Sequence, residues 1–148
     1  MQLTTHTDYA LRVLIYLTLH QDQLVTINEL AEFFDISRNH LVKVVHNLGV
    51  KGFIKTLRGK GGGICLARPP EAINIGAVVR EIEGHFYMTE CFNPHKQGHC
   101  AIQPICGLTS LLGTALRQFM EVLDNAVLSD LVPQSSRLNT EKLLEPAE

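Results

Sequence analysis

TINELAEFFDISRNHLVKVVHNLG, residues 26–49, has the pattern of two short amphipathic helices joined by a turn. Thr26, with Glu29 three residues later, predicts a capping box at the start of the first helix. The turn lies at 35–37, where Ser37 can cap a second helix over residues 38–49. A short helix, a turn and a second helix together predict a helix-turn-helix unit.

The second predicted helix combines an apolar stripe with a polar, cationic face. Lysine and arginine side chains contact the phosphates of nucleic acid, and short polar or forked side chains read base edges in the major groove. Both kinds are present, and we predict that these residues contact DNA: Arg38, Asn39, His40 and Lys43. The alternative is a solvated basic surface on an ordinary three-helix fold.

A glycine-rich hairpin follows the two helices. Residues 53–57 and 64–67 are strand-like, and the segment RGKGGG at 58–63 supplies glycines for a tight turn between them. The pattern predicts a β-wing over 53–68 with a cationic tip that approaches the DNA closely. The predicted DNA contacts at the tip are Arg58, Lys60, Gly61 and Gly62.

The same glycines do not form a nucleotide-binding loop. A G-x-G-x-x-G fingerprint that starts at Gly59 requires glycine where Ile64 stands. A Walker-type loop requires serine or threonine after Lys60, where Gly61 stands. Neither pattern leads into a helix, so we reject nucleotide binding here.

The charge distribution favours one local binding face. The chain has 148 residues and a formal net charge of −2. Residues 36–70 contain seven of the 13 basic residues and none of the 15 acidic ones. A basic block in an otherwise acidic chain is typical of a nucleic-acid-binding surface.

Helical periodicity extends on both sides of this unit. Residues 8–20 predict a first helix capped by Thr7 or Asp8, and residues 73–83 predict another after the wing. Residues 107–131 form the longest periodic segment, about 37 Å as a single helix. Its apolar stripe exceeds what a small domain covers, which predicts a partner helix. The predicted fold class is therefore mainly α, a winged helix-turn-helix with a long C-terminal dimerisation helix.

These elements divide the chain into four parts. We predict a DNA-binding domain over 1–83, a cysteine-bearing loop over 84–106, a dimerisation helix over 107–132 and a flexible tail over 133–148. No apolar run approaches the roughly 18 residues of a membrane-spanning helix, and the start lacks the basic region of a secretory signal. We expect a cytoplasmic protein with no membrane partner.

Three of the four cysteines lie in the loop with the spacing C-x8-C-x5-C: Cys91, Cys100 and Cys106. Thiolates from one loop can hold zinc or an iron–sulfur cluster, whereas disulfides are a poor default in a cytosolic chain. The wide spacing favours a cluster, because zinc sites prefer close cysteine pairs. A disulfide or sulfenate switch and inert thiols remain alternatives. Cys65 alternates within a predicted wing strand and is interpreted as packing, and His95 and His99 are weaker ligand candidates.

Several motifs together resemble the NsrR/IscR family of winged-helix iron–sulfur regulators over residues 1–132. The matching segments are MQLT at 1–4, TDYALR at 7–12, SRNHLVK at 37–43, RGKGGG at 58–63, VVREIE at 78–83 and the three loop cysteines. The resemblance implies a homodimeric transcriptional repressor that binds operator double-stranded DNA in its cluster-loaded form. Similarity to the nitric-oxide-sensing members implies that cluster damage by nitric oxide releases the DNA.

The resemblance also implies a ligand set for the cluster. Cys91, Cys100 and Cys106 of one subunit would hold it, with Asp8 of the partner subunit as the fourth ligand. Without the resemblance, Asp8 reads as an ion pair with Arg12 or as a helix cap. Some relatives use a histidine a few residues after the last cysteine, and that histidine is absent here. We favour a 4Fe-4S cluster over a 2Fe-2S cluster, while the long gap after the first loop cysteine leaves room for a loop histidine to compete.

Three other functions stay open. A regulator of the same fold can respond to iron–sulfur status or redox state rather than to nitric oxide. A zinc-stapled interaction module needs only the thiols. A redox enzyme needs a substrate pocket, and the sequence contains no second group of chemically active residues, so we predict a regulator and not an enzyme.

Overall fold

The architecture is mainly helical with one small hairpin, which confirms the predicted fold class. The computed structural model describes residues 2–132, so the tail predicted at 133–148 lies outside the described residues. In chain order the elements are α1 (Thr5–Leu19), α2 (Ile27–Phe34), α3 (Arg38–Val50), β1 (Ile54–Leu57), β2 (Gly63–Leu66), α4 (Ile75–Glu83) and α5 (Gly107–Asp124). Short 3-10 helices lie at Pro70–Ala72, Glu90–Phe92, Pro94–Lys96, Gln103–Ile105 and Leu128–Leu131. Within residues 2–132, none of the helices combines the length and the apolar character needed to cross a bilayer.

Helix α1 lies at the centre of the hydrophobic core. It packs against α3, α4, β2 and the 3-10 helix Leu128–Leu131. One face of α1 is buried almost completely, through Ala10, Val13, Leu14 and Leu17. Full burial of a large aliphatic side chain contributes roughly 1.5–3 kcal/mol, so this face holds the surrounding elements in place.

The start of α1 differs from the sequence prediction. The helix begins at Thr5 and its N-cap is Thr4, whose hydroxyl accepts a hydrogen bond from the Thr7 backbone N–H at 3.3 Å. The carboxylate of Glu83, at the end of α4, accepts hydrogen bonds from the Thr4 backbone N–H at 3.0 and 3.1 Å and from the Thr7 hydroxyl. The predicted cap at Thr7 or Asp8 was therefore wrong, because an acceptor distant in sequence stabilises an earlier start.

The helix-turn-helix unit follows its local sequence signals. The predicted capping box is confirmed, since the Thr26 hydroxyl accepts from the Glu29 N–H at 3.1 Å and the Glu29 carboxylate accepts from the Thr26 N–H at 3.4 Å. Asp35 ends α2 in the left-handed conformation, with φ of 51°. The Ser37 hydroxyl then caps α3 by accepting from the His40 N–H at 3.4 Å.

The wing is a two-stranded antiparallel hairpin attached to the segment before α2. Its register pairs Ile54 with Leu66 and Leu57 with Gly63. Val25 and Ile64 exchange two backbone hydrogen bonds of 3.0 and 2.8 Å, which add a third extended segment at the edge of the hairpin. This attachment couples the wing to the start of the helix-turn-helix unit.

Helix α5 is shorter than predicted. It ends at Asp124, and its 18 residues correspond to about 27 Å rather than 37 Å. The Asn74 side-chain amide donates to the backbone oxygens of Asp124 at 2.6 Å and Ala126 at 3.2 Å. Arg80 forms a bidentate ion pair with Asp124, with N···O distances of 2.6 and 2.5 Å. The prediction of a continuous helix through residue 131 was wrong, because α4 holds the end of α5 and turns the chain back.

The returning chain completes the core. The Leu128 N–H donates to the Ile73 oxygen at 2.8 Å, and the Leu128 side chain is completely buried. Residues after Asp124 therefore belong to the packed domain and do not lengthen an isolated helix.

We predict that Leu128→Ala lowers the free energy of unfolding by about 2–5 kcal/mol, the range for truncating a buried leucine. Leu131→Ala, in the same 3-10 helix but at a residue that is 41% exposed, should cost less than about 1 kcal/mol. Urea unfolding followed by circular dichroism at one protein concentration measures both values. Equal losses for the two variants would contradict the buried return of the chain.

Candidate nucleic-acid interface and cysteine loop

Helix α3 has one buried and one exposed face. Its buried side chains are Leu41, Val44, Val45 and Leu48. The residues predicted to contact DNA all lie on the exposed side: Arg38, Asn39, His40 and Lys43. The structure therefore brings these four polar side chains to one surface, at the N-terminal half of the helix that typically enters the major groove in helix-turn-helix proteins.

Two polar contacts tie α3 to the neighbouring helices. The Arg38 guanidinium donates through Nε to the Asn28 side-chain oxygen of α2 at 2.9 Å, which orients its remaining N–H groups. Asn47 is half-buried, and its amide nitrogen lies 3.1 Å from the ring Nε2 of His6 on α1. The inward side of α3 thus contains a polar link to α1.

The wing tip owes its shape to glycine. Gly59 and Gly61 have φ of 107° and 79°, in the left-handed region that disfavours other residues. At Gly62 a Cβ atom would overlap the Leu57 backbone oxygen, so that position has room only for glycine. The narrow turn leaves the two predicted cations of the tip exposed: Arg58 and Lys60.

Other cations of the basic block are engaged within the fold. Lys51 forms an ion pair with Glu81 at 2.6 Å, and the Arg68 guanidinium lies 5.4 Å from the centre of the Phe53 ring. Among residues 2–132, no ion pair involves the four cations assigned to the DNA face: Arg38, Lys43, Arg58 and Lys60. These four charges are therefore available to neutralise phosphates.

The loop cysteines occupy three different local structures. Cys91 lies in the 3-10 helix Glu90–Phe92, Cys100 is in an exposed turn, and Cys106 directly precedes α5. All three are free thiols, and so is the half-buried Cys65 on β2. In the part of the chain that the structure describes, no three His, Cys, Asp or Glu side chains converge closely enough to hold a metal ion. The structure therefore does not bring the three predicted thiol ligands Cys91, Cys100 and Cys106 together.

Cys91 has the most specific surroundings of the loop thiols. Its Sγ lies 2.9 Å from the Thr89 hydroxyl and 3.5 Å from the Thr109 hydroxyl. Hydrogen bonds from Thr109 and then from Thr89 lower the pKa of the Cys91 thiol. This environment favours the thiolate, the form that acts as a metal ligand. The sequence motifs did not point to either threonine.

Asp8 forms the local ion pair expected from its spacing. Its carboxylate accepts from the Arg12 guanidinium at 2.9 and 3.1 Å, one turn along α1. The Asp8 side chain is 44% exposed, so its carboxylate lies at the surface of the subunit. The loop histidines His95 and His99 are also exposed.

These features define a winged helix-turn-helix protein with an exposed thiol-bearing loop, which is a class of DNA-binding transcriptional regulators. The chain belongs to the Rrf2 family, described as iron-dependent transcriptional regulators, whose match covers residues 3–134. Family membership confirms the prediction of a transcriptional regulator rather than an enzyme.

Similar proteins of known name support the same assignment. The chain is 48% identical over 133 residues to the HTH-type transcriptional regulator NsrR of Bacillus licheniformis, which covers 89% of this chain and 92% of the relative. It is 44% identical over 147 residues to the regulator of the same name from Halalkalibacterium halodurans, covering 99% and 100% of the two chains.

Solved structures agree on the fold. CymR of B. subtilis, described as the global cysteine regulator, superposes with a TM-score of 0.66 at 27% identity, over 88% of this chain and 95% of the other. T. potens IscR superposes with a TM-score of 0.70 at 23% identity, over 100% and 93%.

We predict that Lys60→Ala weakens binding to any double-stranded DNA and reduces the slope of log affinity against log salt by roughly one. Lys51→Ala removes the same charge but from a lysine already paired with Glu81, so its salt slope should match the wild type. Fluorescence anisotropy at several salt concentrations measures both. An unchanged slope for Lys60→Ala would mean that the wing tip does not touch phosphate.

Proposed function

We propose that this protein is a homodimeric repressor that holds an iron–sulfur cluster, binds operator DNA and responds to nitric oxide in the cytoplasm. The supporting observation is that three free thiols lie on the one segment that joins the DNA-binding domain to α5. The functional division is a DNA-binding domain over 1–83, a sensing loop over 84–106 and a dimerisation region over 107–132. Nitric oxide is the signal that the family resemblance implies.

DNA recognition uses the two exposed cationic surfaces. The N-terminal half of α3 enters the major groove, where Asn39 and His40 face base edges. Arg38 and Lys43 pair with phosphates beside the groove. Arg58 and Lys60 contact the backbone next to the wing, and the glycine turn with Gly61 and Gly62 permits close approach. The Arg38–Asn28 hydrogen bond of 2.9 Å supports this assignment, because it holds one cation at the entrance of the helix.

Dimerisation uses the apolar stripe of α5 that its own domain leaves exposed. Leu108, Leu111 and Val122 are 53%, 66% and 70% exposed, although all three recur on one side of the helix. A stripe of this size in water favours pairing with an equivalent helix of a second copy. A two-fold dimer then presents its two recognition helices to successive major grooves, about 34 Å apart.

We predict that Leu111→Glu shifts the protein to monomer, because it places a carboxylate in the paired stripe. Ser110→Glu adds the same charge about 100° around the helix, at an exposed position beside the stripe, and should remain dimeric. Sedimentation velocity distinguishes the two states. Dimeric Leu111→Glu protein would rule out this stripe as the interface.

The thiols fit an iron–sulfur cluster by their chemistry. Cys91, Cys100 and Cys106 are free, and the hydrogen bonds to Cys91 favour its thiolate. Soft thiolates are the usual ligands of such clusters. We assign these three as ligands, Asp8 of the partner subunit as the fourth, and 4Fe-4S as the type. When bound, the group supplies iron that reacts with nitric oxide.

The position of Asp8 suggests how the loop and the recognition helix are linked. Asp8 lies on α1, and its pairing with Arg12 orients the carboxylate at the subunit surface. The same helix contacts α3 through the pair His6 and Asn47, and the Tyr9 ring lies 6.4 Å from the His40 ring. A displacement of Asp8 is therefore transmitted through α1 to α3. The distance between the two recognition helices of the dimer changes as a result.

We predict that Cys91→Ala, Cys100→Ala and Cys106→Ala each lose iron, sulfide and specific operator binding when purified without oxygen. Cys65→Ala is the matched control, because Cys65 lies on the wing strand outside the loop and should keep all three properties. Metal and sulfide analysis with operator-binding titrations provides the measurements. Operator affinity that survives all three loop substitutions would remove the cluster from the mechanism.

The same titrations identify the signal. Nitric oxide should release the operator from wild-type protein faster than oxygen or an iron chelator does. A stronger response to oxygen or chelator would favour a sensor of redox or iron–sulfur status. Stoichiometric zinc without iron would favour a zinc-stapled module.

A further inference from the structure

The Cys91 sulfur is held between two threonine hydroxyls from different elements. Thr89 immediately precedes the 3-10 helix that contains Cys91, and its Oγ1 lies 2.9 Å from Sγ. Thr109 lies in the first turn of α5, 18 residues after Cys91, and its Oγ1 lies 3.5 Å from the same sulfur. All three side chains are half-buried. The long-range contact pins the start of the cysteine loop to the beginning of α5.

This contact places Cys91 beside the N-terminal end of α5, which begins directly after Cys106. Cys106 is the residue before Gly107, and no side chain caps the first turn of α5. The first turn also contains no acidic residue. Thr109 therefore links Cys91 to the positive end of an 18-residue helix, where backbone N–H groups favour negatively charged sulfur.

We propose that Thr109 and Thr89 are positioning residues for the cluster ligand Cys91, because their hydroxyls donate hydrogen bonds to its sulfur and set its direction. The proposal rests on the cluster-binding function proposed above. A thiolate sulfur has no proton to donate, so both hydroxyls are the donors once Cys91 acts as a ligand.

The two threonine hydroxyls affect the reduction potential of the cluster, which packing of the threonine side chains alone would not change. Hydrogen bonds to ligand sulfur stabilise the more negatively charged, reduced state of an iron–sulfur group and so raise its reduction potential. They also hold the sulfur in its ligating direction, as outer partners do for other metal ligands. A merely structural threonine would affect stability but not the potential.

The test compares Thr109→Val, which removes the hydroxyl and keeps the branched shape, with Thr109→Ser, which keeps the hydroxyl. Thr114→Val is the control on the same helix, because the Thr114 hydroxyl bonds to the Ser110 backbone oxygen and not to sulfur. Thr89→Val tests the second hydrogen-bond donor. It also replaces Thr109→Val as the test of the proposal if Thr109→Val does not fold. Each protein is prepared without oxygen, and circular dichroism verifies its fold.

We expect Thr109→Val and Thr89→Val to shift the reduction potential to more negative values. We also expect iron loss to a chelator to become about 10-fold faster, the scale of outer-partner substitutions. Thr109→Ser and Thr114→Val should match the wild type in both measurements. Spectroelectrochemical titration and the decay of visible absorption supply the readouts.

The outcomes separate this proposal from the one on which it rests. Wild-type protein that contains iron and sulfide, with folded valine variants of unchanged potential and iron-loss rate, would overturn the role of the hydroxyls alone. A negative shift of equal size in Thr109→Val and Thr109→Ser would also overturn it, because the hydroxyl would then not matter. Wild-type protein free of iron and sulfide would overturn both proposals.

Discussion

The burial of one face of α1 is the constraint on which the rest of the structure depends. Leu14 and Val13 are completely buried at the centre of the domain, and α1 contacts α3, α4, β2 and the returning C-terminal chain. The opposite side of α1 carries the exposed Asp8–Arg12 pair. A single helix therefore carries the surface acid on one side and contacts the inner side of α3 on the other.

In the part of the domain that the structure describes, some cationic side chains form ion pairs within the fold, and others are exposed and outside such pairs. Lys51 and Arg80 are paired with Glu81 and Asp124 at N···O distances near 2.6 Å, and each pair connects two neighbouring helical segments. Lys43 on α3 and Lys60 in the wing turn are exposed to solvent. Because an ion pair in the fold and a phosphate contact compete for the same cation, this division allows a protein of negative net charge to present a cationic surface.

Local signals predicted the helix-turn-helix unit well, since the Thr26 capping box and the Ser37 cap involve neighbours within three residues. Periodicity failed at the end of α5. The apolar pattern continues beyond Asp124, but Asn74 and Arg80 bind the chain at that point and turn it back. An apolar period indicates only which residues become buried. Leu128 is buried because the chain turns back onto the domain after Asp124, and not because α5 continues.

The order of elements, the exposed cationic residues of α3 and the glycine turn of the wing could be read from the amino-acid chain, because short-range hydrogen bonds and hydrophobic spacing control them. The Glu83 cap on α1, the inward Asn47 and the Thr109 hydroxyl at the Cys91 sulfur could not. Each depends on groups between 18 and 79 residues apart. Such contacts form only after the helices pack, so no local pattern contains them.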